Sequence, residues 1–232
     1  MFGRREINDP ARVLRLHGDH WRQGEILRVT PKRRWNADPT AKNMVLRRRD
    51  LGELALTPMR WGLVPDAARE DSERGIGRDR PLVSVRAETF REEIEWRRLL
   101  NAHRCVIPAD QFFEWKRVDG VKTKEYAFRL KDRRPMMMAG VWNRSPAPGG
   151  RTLDSFAYVS CPANRLFGFV HARMPVILDD AGVAKWFNPD STLETLFALM
   201  RPMTWGQLEL NAVQSAAKTK PYQPSLFASR AA

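Results

Sequence analysis

The chain has 232 residues, 43% hydrophobic and 29% charged, a length and composition that bury one large core without any apolar run approaching the roughly 20 residues that cross a bilayer. Lys and Arg number 40 against 27 Asp and Glu, so the formal charge is +13 and the pI near 10.5. That balance points to polyanionic partners, nucleic acid before anionic membrane, because no basic amphipathic helix stands out and no secretory signal follows Met1.

Asp9-Pro10 reads as an N-cap with proline at the first helical position, opening a short helix towards Trp21. Residues 31–43 are polar and proline-bounded, and are read as a loop. Strands are expected over 44–49 and 54–61, with Asp50-Leu51-Gly52 as the turn between them. Residues 65–81, with two glycines and nine charged residues, read as a mobile surface loop. Thr89 and Glu92 have capping-box spacing and open a helix to about Leu100.

Strands follow over 104–107, 111–117, 125–130 and 135–142, with Asp119-Gly120 as a hairpin turn. Residues 145–150 read as a turn, 155–161 and 174–178 as strands, and 180–187 as a helix. A last helix is opened by the capping box Ser191…Glu194. No repeat, low-complexity block or interdomain linker interrupts the chain. Many short strands with few helices indicate an α+β fold with a largely antiparallel sheet, in a single domain spanning 1–232 with an extended tail from about 215.

Cys105 and Cys161 lie far apart in apolar contexts, without a CxxC partner or histidines at ligand spacing. They are read as packed core thiols, and neither a metal nor another cofactor is expected.

Six segments, in order, carry a resemblance across nearly the whole chain. They are Phe2-Gly3-Arg4, Trp35-Asn36-Ala37-Asp38-Pro39-Thr40, Arg60-Trp61-Gly62-Leu63-Val64-Pro65, Ser84-Val85-Arg86-Ala87-Glu88-Thr89, the run from Arg104 to Trp115, and the run from His171 to Leu178. Together they resemble the SRAP (SOS response-associated peptidase) family, whose members engage single-stranded DNA carrying abasic sites. The resemblance implies a single domain with a barrel-like core and flanking helices, acting as a monomer; with no spanning run and no secretory signal, the expected location is the cytoplasm, associated with the nucleoid. In that family a cysteine at position 2, exposed by methionine removal, condenses through its thiol and α-amine with the abasic aldehyde to a thiazolidine. The same cysteine is credited with removing a propeptide. An asparagine, a glutamate and a histidine surround it.

Carried over residue by residue, Glu114 matches the glutamate and His171 the histidine. A glutamate buried among aromatics would have a raised pKa, which suits proton transfer. Phe2 stands where the family has its cysteine, and Ser84 where asparagine is usual. Ala172 replaces an aspartate beside the histidine, and Ala67 and Ala68 replace a tryptophan. A phenyl ring is no nucleophile, so thiazolidine chemistry is lost and a pseudoenzyme is expected. Arg4, Arg86 and Arg173 match groove-lining cations. Trp61 and Trp35 serve either as stacking platforms for bases or as core. Arg47-Arg48-Arg49 either adds backbone contacts or is a solvated strand edge.

The leading expectation is therefore a protein that binds single-stranded or abasic-site DNA without the usual cross-link. Two alternatives stay open. One is a Schiff-base lyase or peptidase that uses the Met1 amine with Glu114 and His171. The other is a non-catalytic scaffold that docks a protein partner.

Overall fold

Strand β9 (Met136–Ala147) pairs along both of its edges, and this double pairing closes a barrel. The other strands, in chain order, are β1 (Arg4–Ile7), β2 (Arg34–Ala37), β3 (Lys42–Arg48), β4 (Leu54–Trp61), β5 (Ser84–Arg86), β6 (Arg104–Ala109), β7 (Gln111–Val118), β8 (Val121–Leu130), β10 (Arg151–Pro162), β11 (Arg173–Pro175), β12 (Ile177–Leu178) and β13 (Leu208–Ala212). The helices are α1 (Thr89–Glu92), α2 (Ile94–Ala102), α3 (Asp180–Phe187) and α4 (Leu193–Leu199). This computed structural model describes residues 4–7, 34–37, 41–49, 52, 54–64 and 82–213, with 4–7 and 34–37 as backbone only.

The ring runs β9–β6–β3–β4–β10 and back to β9. All its contacts are antiparallel except β10 with β4. Gly140 is the point of closure, paired with Cys105 on one edge and Tyr158 on the other. A Cβ there would lie 2.4 Å from Ile107 Cδ1 and 2.8 Å from the Ala157 carbonyl oxygen, so only glycine lets the strands approach. Residues 136–143 are buried at every position, as expected of strands covered on both faces.

A second, five-stranded antiparallel sheet, ordered β13-β8-β7-β1-β2, leaves the barrel where β6 passes through Asp110 into β7. Its inner face joins the core through Phe112 and Phe128, stacked with centroids 5.1 Å apart. The α+β class, the predominantly antiparallel pairing and the barrel are as expected. Helix α3 falls on its expected residues, with Asp179 as N-cap accepting from the Gly182 N–H.

Elsewhere the sequence reading is corrected. Strand β2 and the start of β3 lie inside the stretch read as loop, because strand pairing overrides its polar composition. No capping box forms at Thr89, which is already helical. The helix breaks at the extended Glu93, giving α1 and α2. At α4 the cap is Thr192, one residue later than expected, accepting from the Thr195 N–H while Ser191 bonds the Lys185 carbonyl. Residues 145–147 continue β9 instead of turning. β13 was not foreseen. The expected helix at 9–21, the loop at 65–81 and the tail beyond 215 lie outside the described residues.

Candidate functional site

Glu114 is carried by β7, directly opposite Tyr126 of β8, so both side chains leave the same face of the sheet. Phe112 and Lys116, two residues to either side, share that face. The face is covered by a one-turn 3₁₀ segment, Phe167–Phe169. Phe167 is buried 4.2 Å from the Phe128 ring and 5.5 Å from Phe112. Phe169 lies at right angles to Tyr126 at 5.8 Å, with Lys116 Nζ 3.4 Å from the Phe169 ring centre. The segment thus runs along the row Phe112, Glu114, Lys116, and His171 follows two residues after Phe169.

Under this cover Glu114 is 2% exposed. Burial pushes its carboxyl up to about 7, against the opposing pull of the Trp115 N–H, which donates to Oε1 at 3.1 Å, and of the Arg117 and Lys122 charges. A carboxyl poised there exchanges protons readily at neutral pH. His171 is half-buried, and burial lowers its pKa from the ordinary histidine range, with Arg117 and Arg173 adding to the effect. Its Nδ1 lies 3.0 Å from the Arg173 N–H and 2.9 Å from the Arg173 carbonyl. Nδ1 is thereby engaged by the Arg173 backbone, which fixes the orientation of the ring. Arg117 acts on both groups, so they share one electrostatic neighbourhood.

Two cations sit on strands that pair with β10, Arg86 on β5 and Arg173 on β11. Arg173 forms a two-pronged ion pair with Glu88, at 3.0 and 2.8 Å, and also donates to the Ser160 carbonyl at 2.6 Å. The pair holds the Glu88 carboxyl below its ordinary value. Arg86, exposed, is paired in register with Ser160, and Ser84 with Tyr158. Any phosphate approaching Arg173 therefore competes with Glu88.

The structure sets several expected residues elsewhere. Trp61 is fully buried, edge-on to Tyr158 at 5.2 Å, with its indole N–H donating to the Val83 carbonyl at 3.0 Å. It offers no face to a base; it packs in the core and steadies the strand that carries Ser84 and Arg86. Arg47 is buried beside Asp154 and over the Trp142 ring, and Arg48 bonds the Phe187 carbonyl, so neither serves as an exposed backbone contact. Arg4 and Trp35 are described only as strand backbone, and Phe2 lies outside the described residues. Arg4 pairs with Phe113, so β1 begins beside the strand position that carries Glu114. Cys105 and Cys161 are free and buried, and burial pushes the Cys161 thiol up to about 12.

The sequence reading missed Phe167, Phe169 and Lys116. The only signal available was the Phe-Gly-Phe spacing just before His171. Among the described residues no helix is long and apolar enough to cross a membrane, and no group of three or more His, Cys, Asp or Glu could hold a metal.

A barrel bearing a side sheet, with a glutamate buried under an aromatic turn and a histidine just after that turn, defines a class. The chain matches the family described as SOS response associated peptidase (SRAP) over residues 1–219, and it belongs to that family. It is 34% identical over 176 residues to the abasic site processing protein YoqW of Bacillus subtilis, covering 75% of this chain and 76% of that one. It is 28% identical over 195 residues to the abasic site processing protein HMCES of Xenopus tropicalis, covering 73% of this chain and 57% of that one. A crystal structure from Bacteroides thetaiotaomicron shares the fold with a TM-score of 0.75 at 21% identity, each chain covered to 91%. One from Bordetella bronchiseptica does so with a TM-score of 0.71 at 24% identity, covering 93% of this chain and all of that one.

Proposed function

We propose that this chain engages single-stranded DNA carrying abasic sites, as part of a DNA-damage response, and holds the lesion without a cysteine-derived cross-link. One observation carries this reading. The carboxyl of Glu114 is buried at a pKa of about 7 on a face whose cover leads to His171, while position 2 is Phe2. The proton-transfer partners of the family chemistry persist and the thiol at position 2 does not. Family membership, abasic-site processing relatives and the +13 charge support the choice of ligand. Arg4, Arg86 and Arg173 would meet phosphates and Trp35 a base.

In this reading the abasic aldehyde enters beside the start of β1 and accepts a hydrogen bond from protonated Glu114. His171, anchored through Nδ1 on the Arg173 backbone, presents Nε2 on the side away from Arg173. No bond to DNA forms.

A second reading is favoured by the same titration. A carboxyl near neutrality can assist condensation of a chain amine, such as that of Met1, with the aldehyde, losing water to give an imine. The experiment is a single-stranded oligonucleotide with one abasic site beside an undamaged control, run on native gels and on denaturing gels with and without borohydride. The first reading expects retention on native gels and no band on either denaturing gel. A band only with borohydride establishes the imine. A band without borohydride, or no binding at all, overturns the first reading.

A further inference from the structure

The β7–β8 hairpin carries a charge arrangement that works against its own folding. Lys116 faces Lys124 across the strands, and Arg117 faces Lys122. Like charges directly opposite one another destabilise a strand pair. None of the four is ion-paired with a carboxylate among the described residues. Arg117, Lys122 and Lys124 are exposed, and Lys116 is half-buried. The hairpin's own carboxylates are Asp119 in the turn, Glu125 opposite Trp115, and the buried Glu114.

Rings are interleaved with these cations. Lys116 Nζ lies 3.4 Å from the Phe169 centroid, Lys122 Nζ 5.5 Å from that of Trp115, and Lys124 Nζ 5.9 Å from that of Tyr126. Phe169 is 53% exposed although it packs on the cover of the site. The geometry is held firmly. Asp119 and Gly120 both take positive φ, 50° and 80°, as a tight hairpin turn requires, and Thr123 donates to the Lys116 carbonyl at 3.0 Å where the register shifts. Rows of cations alternating with aromatic faces suit a single strand, whose phosphates need the charge and whose unpaired bases need the rings.

We propose that this hairpin grips the single strand flanking the lesion, its phosphates on Lys116, Arg117, Lys122 and Lys124 and a base on Phe169. The inference rests on the reading under Proposed function and extends the contact from the cover of Glu114 along the hairpin. The bound polyanion removes the repulsion that the free hairpin carries. The basic shank lies between the exposed Phe169 ring and an apolar tip, Val118 and Val121, which are 50% and 65% exposed. An anionic membrane surface is thus the competing occupant, and the test includes it.

The experiment is fluorescence anisotropy of the full chain with an undamaged single-stranded oligonucleotide, titrated at several salt concentrations. The variants are K116Q/R117Q/K122Q/K124Q, Phe169→Ala, and a charge-matched control, R98Q/K131Q/K185Q/R201Q, at exposed positions of other elements. The quadruple hairpin variant should bind more weakly, with the slope of log affinity against log salt flatter by about 0.7 for each phosphate left without its cation. Phe169→Ala should weaken binding by roughly tenfold with an unchanged slope. Lys124→Gln alone should weaken binding while keeping or raising the thermal midpoint, which separates weaker grip on DNA from damage to the fold.

Failure of the unaltered chain to bind this undamaged strand overturns this inference, whereas failure to bind the abasic-site oligonucleotide overturns the reading under Proposed function as well. Binding by the hairpin variant equal to that of the control overturns this inference alone. Unchanged DNA affinity with abolished binding to vesicles of anionic phospholipid assigns the hairpin to a membrane and overturns it too.

Discussion

Glu114 stands directly opposite Tyr126 across β7 and β8, and the Tyr126 ring is in turn packed at right angles to Phe169. The pairing places a carboxylate in an aromatic row, where its charged form is the costly one. Two consequences follow from how that charge is managed, one from the Glu88–Arg173 pair, and one from the barrel beneath.

Glu114→Gln should change how stability depends on pH. In the folded chain the carboxyl is raised from its ordinary value of 4.5 to about 7. A raised folded pKa favours folding most below pH 4.5, and that contribution is lost as pH rises through 7. Relative to the unaltered chain, the variant should therefore gain up to about 3 kcal/mol between pH 4.5 and pH 8.5. Urea unfolding at both ends of that window measures it. A difference that stays flat with pH would show that the carboxyl titrates normally.

Arg117→Gln should move two titrations together. The positive charge of Arg117 lowers both Glu114 and His171, so its removal should raise both. NMR titration of the Glu114 side-chain carbonyl carbon and the His171 ring reads the two groups in one sample. If only one of them moves, they do not share Arg117 as a common neighbour.

How much of this was legible beforehand depended on the kind of information each feature needs. Asp119-Gly120 and helix α3 were readable because turn chemistry and capping are local: both turn residues take positive φ, and Asp179 caps α3. The closure of β9 on both β6 and β10 was not, since alternation marks strands without naming their partners, and residues 136–143 are too uniformly buried to alternate. β2 was hidden by the polar residues around Trp35. Glu114 and His171 were named through family resemblance. Phe169 and Lys116 were missed because their roles arise only when the 3₁₀ turn folds over β7. Trp61 was left between stacking and core, and its bond to the Val83 carbonyl decides for core.

Glu88→Gln should tighten DNA binding while it weakens the fold. Arg173 grips Glu88 with both prongs, so a phosphate gains Arg173 only by displacing a carboxylate. The paired Glu88 has a lowered pKa, so its contribution is present above the ordinary carboxylate range and lost as pH falls through the folded value. With Glu88 44% exposed, the stability cost at neutral pH should be no more than about 1 kcal/mol. Freed Arg173 should steepen the salt dependence of single-stranded DNA binding by about 0.7. An unchanged slope in anisotropy titrations would mean that Arg173 serves only to hold Glu88.

Gly140→Ala should strike the barrel where it closes. A Cβ at 2.4 Å from Ile107 Cδ1 and 2.8 Å from the Ala157 oxygen cannot be accommodated without movement, and the second contact is with backbone. Overpacking of this kind costs about 1–3 kcal/mol, and the shared pairing of Gly140 with Cys105 and Tyr158 puts this site at the upper end. Ile107→Val removes the Cδ1 atom, at a cost of its own of about 1 kcal/mol. The double variant should therefore be more stable than the sum of the two single losses, though still less stable than the unaltered chain, because the clash with the Ala157 carbonyl remains. Denaturant unfolding of the four proteins gives the coupling. Strict additivity would mean that Ile107 moves aside and that the Ala157 carbonyl alone makes glycine necessary at the closure.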